Sequence, residues 1–518
     1  MAEKVTKLLE FEDAVKKSGF GMFNYILMTL SGGLMACAFI ELTSVNLVLS
    51  IAQCDLDMTS KDKGILSAIG YVGVILSSYL WGFLSDTQGR KRTLVPTLLA
   101  AFAATFGSSI VNNFWFLVLL RFLNGFLYVK CVIMYFLIKF VYSISCASTT
   151  TFAYLGEFHD AKNRGRVLMI TSIIYATISL LMPTFAVIII NQDWNFYLDF
   201  LGVSFKPWRL FLLACGLPSL ICAMVLHFFL PESPKFTFSQ GDEAATLSIL
   251  QKMYYMNTGA DSSTYEVKGI IKDMEFNDCV KRNENFFMSI WNQSVPLFKG
   301  QHLKNILTSS FINFSVCLTA NGFWTFLPEI LNKVSIWNNM AKEPATICEI
   351  FYATDLIVNQ TEGVSVCLQK LELSTFIYTY ENVLLHGVCY TIMSLLINRT
   401  GKLSILLAIT ITCGLSGVML IFIEIPSILS YVYIYMTIAG LGISVINAST
   451  VELFPTKMRA MAICWSMIVG RFGSSAGSVI IGLIIDKHCS STFLMPVVLL
   501  FASAALACTI PNISKRQK

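Results

Sequence analysis

A short charged turn, Gly82-Phe83-Leu84-Ser85-Asp86-Thr87-Gln88-Gly89-Arg90-Lys91-Arg92, sits between two long apolar runs, residues 64–84 and 94–112. Each run is near the ~20 residues that cross ~30 Å of hydrocarbon as a helix, so the chain must reverse tightly at a membrane surface. Gly82 and Gly89 permit that backbone, and Arg90, Lys91 and Arg92 hold the turn in the cytosol. With 55% hydrophobic residues, 13% charged residues and a mean hydropathy of +0.65, the 518-residue chain falls outside the range of a soluble globular domain.

Apolar runs fall near 22–50, 64–84, 94–112, 115–156, 167–190, 208–230, 305–330, 375–397, 403–423, 429–450, 461–485 and 491–511. They predict an all-α membrane protein with 12 transmembrane helices, held in the lipid bilayer of the plasma membrane or a vesicle. The N-terminus lacks the short apolar core and small-residue cleavage site of a signal peptide. The net charge of +5 is scattered through short loops, which argues against a nucleic-acid partner. Basic residues favour one set of alternating loops, placing both termini in the cytosol. Fifteen cysteines include no C-x-x-C pair and most lie within spans, so neither a metal site nor a cofactor is expected. Cys348 and Cys367 lie in the long outer loop after the seventh span and are expected to pair there, and Asn359-Gln360-Thr361 offers a glycan acceptor in the same loop.

Residues 231–304 are polar and too long for a simple connection, so they separate two six-span halves. The expected organisation is a cytosolic segment 1–21, an N-terminal six-helix bundle 22–230, a cytosolic central loop 231–304, a C-terminal bundle 305–511 with an outer loop 332–374, and a cytosolic tail 512–518. The halves look duplicated. Asp86 to Arg90 recurs weakly as Asn398-Arg399-Thr400-Gly401-Lys402, and Glu157 with Arg164 recurs as Glu452 with Arg459. The run 115–156 breaks this symmetry, because as one helix it would reach ~63 Å. The surplus maps to Leu127–Tyr142, read either as a membrane-buried excursion or as a translated intron.

The loop at 82–92 resembles the G-x-L-[AS]-D-x-x-G-[RK]-[RK] loop of the major facilitator superfamily. Tyr154-Leu155-Gly156-Glu157-Phe158, Leu230-Pro231-Glu232-Ser233-Pro234-Lys235-Phe236 and Val451-Glu452-Leu453-Phe454-Pro455-Thr456 extend the likeness to the synaptic vesicle glycoprotein 2 and related-protein group, in the sugar and organic-ion branch. The resemblance implies two pseudo-symmetric six-helix bundles with a solute site between them and alternating access. The group's first-span aspartate-x-x-glutamate reads Ala38-Phe39-Ile40-Glu41 here, which leaves ion coupling open.

Ionised groups at mid-membrane are costly and mark functional candidates. Arg471 either holds an anionic solute or is neutralised by Glu41, and Glu41 either binds a coupling proton or cation or snorkels toward the surface. Glu381 and His386 form a weaker proton-site candidate. Asn321, Phe323, Trp324 and Tyr175 are candidates to line a cavity, the alternative being plain packing. Gly82, Asp86, Gly89, Arg90, Arg121, Glu157, Arg164, Glu452 and Arg459 are expected to form cytosolic gating motifs, or else to serve as topology anchors. Gly473-Ser474-Ser475-Ala476-Gly477 matches the G-x-S-x-G of serine hydrolases but sits in an apolar helix, where small residues serve close packing, so no enzyme activity is expected. Two functions remain: a secondary active transporter of a small organic ion or sugar-like solute, and a non-transporting or regulatory glycoprotein on a transporter scaffold.

Overall fold

A computed structural model of the chain describes residues 8–126, 151, 154–199, 202–271, 295–340, 343–362, 371–454 and 456–510. The suspected insert 127–142, Cys367, and the side chains of Asp86, Arg164, Asn359, Glu452 and Arg459 lie outside the described residues. In the N-terminal half the helices are α1 (Phe11–Lys17), α2 (Met22–Leu49), α3 (Ser60–Gln88), α4 (Arg90–Ile110), α5 (Phe114–Phe126), α6 (Ala161–Ser179), α7 (Leu181–Ile189) and α8 (Pro207–Phe229). The central segment carries α9 (Pro234–Ser239) and α10 (Glu243–Thr258). The C-terminal half has α11 (Gln301–Met340), α12 (Ile347–Glu362), α13 (Leu373–Thr400), α14 (Lys402–Phe422), α15 (Pro426–Thr437), α16 (Gly442–Leu453), α17 (Thr456–Ile484) and α18 (Cys489–Ala507). Hydrocarbon offers no partner to a backbone N–H or C=O, so the apolar runs bond internally as helices. Ten helical segments among the described residues are long and apolar enough to cross a membrane.

The duplication is visible in the backbone. Gly89 opens α4 at φ +107°, and Gly401 opens α14 at φ +84°, the same left-handed turn at matching places in the two halves. An L side chain is strained there, which explains a glycine in each loop. Two breaks fall at mid-membrane: α6 hands over to α7 at Leu180, and a 3₁₀ turn, Ile438–Leu441, separates α15 from α16. Helix α11 runs 40 residues, so 332–340, expected in an outer loop, stay helical.

Close packing of α11 against α17 accounts for the Gly473–Gly477 run. A Cβ added at Gly473 would lie 2.4 Å from the Phe314 carbonyl oxygen, and one at Gly477 would lie 2.4 Å from that of Leu318. Small residues let the two backbones meet.

On the face that carries the 82–92 turn, the N-terminal segment is docked. Strand β1 (Leu8–Leu9) pairs in parallel with β4 (Gly269–Ile270). Asn257 of α10 donates to the Ser18 and Gly19 carbonyls, and Tyr265 donates to Ala14 O at 2.7 Å. On the opposite face an antiparallel hairpin of β2 (Phe196–Leu198) and β3 (Val203–Phe205) follows α7. Asp55 accepts from Trp208 Nε1 and pairs with Lys206, tying this region to the loop after α2.

One disulfide differs from expectation. Cys348 on α12 pairs with Cys489 at the start of α18, their Cα atoms 5.6 Å apart, and not with Cys367. Residue 489 precedes the last span on the same outer side, and proximity there comes from helix packing, not from sharing a loop.

Candidate functional site

At the end of the bundle that carries the 82–92 turn, the motif residues form a network inside the N-terminal half. The Glu232 carboxylate accepts from the backbone N–H groups of Lys91 at 2.9 Å and Arg92 at 3.2 Å, two of the donors a helix N-terminus leaves without partners. A carboxylate there also meets the positive end of the helix dipole. Arg90 pairs with Glu157 at 2.9 Å, and Ser233 donates to the other Glu157 oxygen at 2.5 Å. Gly89 has no room for a side chain, since its Cβ would lie 2.7 Å from Glu232 Oε2. Arg90 and Glu157 thus join the 82–92 turn to the end of the fourth span and to Ser233.

Deeper in the same half, Glu41 is 1% exposed. Thr105 Oγ1 on α4 and Asn124 Nδ2 on α5 each donate to its carboxylate at 3.2 Å, and Ser219 of α8 donates to the other oxygen. Arg121 donates to the Glu41 backbone carbonyl at 3.2 Å, while its Nε and Nη2 have no hydrogen-bond partner. Two expectations are corrected here. Glu41 neither snorkels outward nor pairs with Arg471, because four helices of its own half enclose it. Arg121 is not part of a cytosolic gate: it lies about two turns from the outer end of α5, within the membrane.

Between the halves lies a cavity of about 170 Å³. Phe39 and Thr43 of α2 and Tyr175 and Ser179 of α6 face Asn321 and Trp324 of α11, His386 and Tyr390 of α13, and Thr437 and Gly440 at the break in the tenth span. Aromatic faces dominate: Phe39 packs edge-on to Tyr175 and Trp324, and Trp324 packs edge-on to His386. His386 Nδ1 donates to the Asn382 carbonyl at 3.0 Å, leaving the rest of the ring toward the cavity wall. None of the lining residues is Asp, Glu, Lys or Arg.

The structure therefore brings Tyr175, Asn321, Trp324 and His386 together. Phe323 is excluded: it is fully buried, stacked on Phe493 and edge-on to Tyr433, with no face toward the cavity. Glu381 is likewise away from His386, its field acting on Tyr431 and its Oε2 without a hydrogen-bond partner. The two are five positions apart on a helix, which turns them to different faces. Arg471 is half-buried on α17, with Tyr71, Cys317 and Cys464 as its electrostatic neighbours. Sequence reasoning missed Thr43, Ser179, Tyr390 and Thr437. They are ordinary residues in apolar helices, and only the helix breaks at 180 and 438–441 hinted at their place.

Two helical bundles around a central cavity, repeating the same glycine turn, define a major facilitator fold. Residues 19–358, more than half of the chain, match the family described as "Sugar (and other) transporter", and the chain belongs to that family. Human synaptic vesicle glycoprotein 2B is 25% identical over 342 residues, covering 62% of this chain and 47% of that protein. Synaptic vesicle glycoprotein 2C of Rattus norvegicus is 24% identical over 340 residues, covering 62% of this chain and 44% of that protein. The chain thus spans less than half the length of these curated relatives. Among solved structures, the partially occluded inward-open form of the xylose transporter XylE from E. coli superposes with a TM-score of 0.60 at 15% identity, covering 94% of this chain and 98% of that one. A D-xylose-proton symporter gives 0.56 at 15% identity, covering 95% and 98%. The protein is a multi-pass integral membrane protein of a vesicle or plasma membrane.

Proposed function

We propose that the chain is a secondary active carrier of a small, uncharged, sugar-like solute, bound in the 170 Å³ cavity and moved by alternating access. The cavity carries this reading. Its aromatic faces suit the apolar face of a ring, and Asn321, Thr43 and Ser179 supply hydrogen-bonding groups. A bare charge would meet no opposite charge among the lining residues. The family supports a sugar-like solute, and two structural neighbours are proton symporters of xylose.

Glu41 is the coupling-proton site in this proposal. Its carboxylate is held by neutral donors from Thr105, Asn124 and Ser219, so it can take up or release a proton without breaking an ion pair. Uptake into proteoliposomes tests the proposal: a panel of neutral polyols and monosaccharides is offered with and without an inward proton gradient. Trp324→Ala should lose uptake of the solute found, and Glu41→Gln should retain exchange but lose gradient-driven accumulation. Accumulation by Glu41→Gln equal to the parent would remove Glu41 from coupling.

A second reading, an organic anion, is favoured by one observation: Arg471 pairs with no carboxylate among the described residues. Uptake restricted to carboxylates, and lost in Arg471→Lys, would select it, because an ammonium lacks the planar fork of a guanidinium. Absence of flux across both panels would favour a regulatory glycoprotein on a transporter scaffold.

A further inference from the structure

Above the cavity, four polar contacts climb one face of α3 toward the outer surface, each reaching across to the C-terminal half. Tyr71 donates to Asn321 Oδ1 at 2.9 Å, and Asn321 Nδ2 donates to Ser474 Oγ at 2.9 Å. One turn higher, the Ser67 and Thr325 hydroxyls lie 2.8 Å apart, with Ser478 2.9 Å beyond. Lys63 then pairs with Glu329 at 2.7 Å, their side chains 1% and 13% exposed. At the top Ser60 donates to Asp486 at 2.9 Å. Positions 60, 63, 67 and 71 share one helical stripe, as do 321, 325 and 329. Glycines set the spacing: a Cβ at Gly64 would lie 2.5 Å from Ser478 O, and one at Gly482 would lie 2.5 Å from Ser60 O.

A permanent seam between apolar helices has no need of this chemistry. Polar contacts that separate can exchange their partners for water at a small net cost, whereas apolar area cannot. The ion pair differs from the other rungs, because burying either charge alone is strongly unfavourable.

We propose that this ladder is the outer gate of the carrier, with Lys63–Glu329 as its lock and Tyr71 as the residue that positions Asn321 in the cavity wall. In the closed state the charges neutralise each other; when α3 parts from α11, water replaces each partner. The lowest rung links gate to cavity, since a solute that engages the Asn321 amide competes with Tyr71 for it. Lys333 sharpens the expectation. It adds a second positive field at Glu329, so removing Lys63 leaves Glu329 beside another cation, whereas removing Glu329 leaves the buried Lys63 without its carboxylate.

The inference rests on the carrier reading, but its test needs no transported solute. A reporter, Ala176→Cys in the cavity wall, is labelled in the full chain by a membrane-impermeant maleimide, from outside on intact cells and from inside on inverted vesicles. Labelling is compared with the same chain lacking the reporter. Glu329→Gln should raise outside labelling about tenfold or more while inside labelling falls. Lys63→Gln should do so less. The double variant Lys63→Met with Glu329→Met buries no unpaired charge and should label from outside no faster than the parent. Unchanged outside labelling in Glu329→Gln overturns the gate. A rise from both sides in single and double variants alike also overturns it, because that is loss of fold. The expected pattern in a chain that moves no solute would keep the gate and remove the carrier reading.

Discussion

Glu232→Ala removes the acceptor of two α4 N–H groups, those of Lys91 and Arg92, and of the Ser233 N–H at 3.0 Å. A hydrogen bond to a charged group contributes about 1.5–3 kcal/mol, and a carboxylate on a helix N-terminus adds about 0.3–1 kcal/mol. Glu232 is only half-buried and water can reach part of the exposed end, so the low end applies, about 3 kcal/mol for the two helix donors and the dipole together. Glu232→Gln keeps one oxygen acceptor but turns an NH₂ toward the other donor, and should cost about half as much. Thermal unfolding of the purified protein in detergent measures this directly. Taking the scale of a domain near 200 residues, Glu232→Ala should melt roughly 6 °C or more below the parent, with Glu232→Gln between them. A melting temperature for Glu232→Ala within about 1 °C of the parent would show that the P-E-S-P segment does not hold the 82–92 turn, and the capping argument would fail.

Two further outcomes follow from the packing. Cys348→Ser should lower the melting temperature and abolish the reduction-dependent gel shift of a proteolytic fragment pair cut between 348 and 489; in the chain-entropy account a 141-residue separation sets a ceiling near 5 kcal/mol, and a membrane-held unfolded chain reaches less. Cys367→Ser should leave the Cys348–Cys489 link intact, read by the same fragments. Gly477→Val drives a branched side chain into the Leu318 carbonyl, 2.4 Å from where its Cβ would stand, and should cost more expression and stability than Ala476→Val on the same helix. Equal behaviour of the two valine variants would refute the close-packing explanation of that run.

How much of this was legible in the sequence depended on whether the signal was local. The charged turn and its glycine were readable because span length, a positive φ at Gly89 and cytosolic basic residues all act within a dozen positions, and Gly401 repeats them in the second half. The role of Lys91 and Arg92 was half hidden. Their charges fix topology, but it is their backbone N–H groups that bind Glu232, and backbone donors leave no mark in residue identity. Glu41 was visible as a membrane-buried charge whereas Arg121 was read into the cytosolic motifs, and the surroundings of neither were legible, because Thr105, Asn124 and Ser219 come from three other helices. The disulfide failed for the same reason, since Cys489 is distant in sequence and adjacent only after α12 packs beside α18.

The outer ladder was the least legible feature and shows why. Ser60, Lys63, Ser67 and Tyr71 do have a helical period, but a serine and a lysine just before a run that reads as a span look like snorkelling, and a serine and a tyrosine within it look like ordinary helix packing. Their meaning lies in the matching period of Asn321, Thr325 and Glu329 on the other half, and nothing in one sequence pairs those two stripes. Once paired, they explain a feature that hydropathy alone leaves odd: Lys63 is almost wholly buried, and the desolvation of its charge is offset by Glu329 2.7 Å away. In the proposed gate the closed state pairs the two charges and the open state hydrates them, so the intact pair leaves the two states close in free energy, whereas one charge left alone in the closed seam is strongly unfavourable and tips the balance toward the open state.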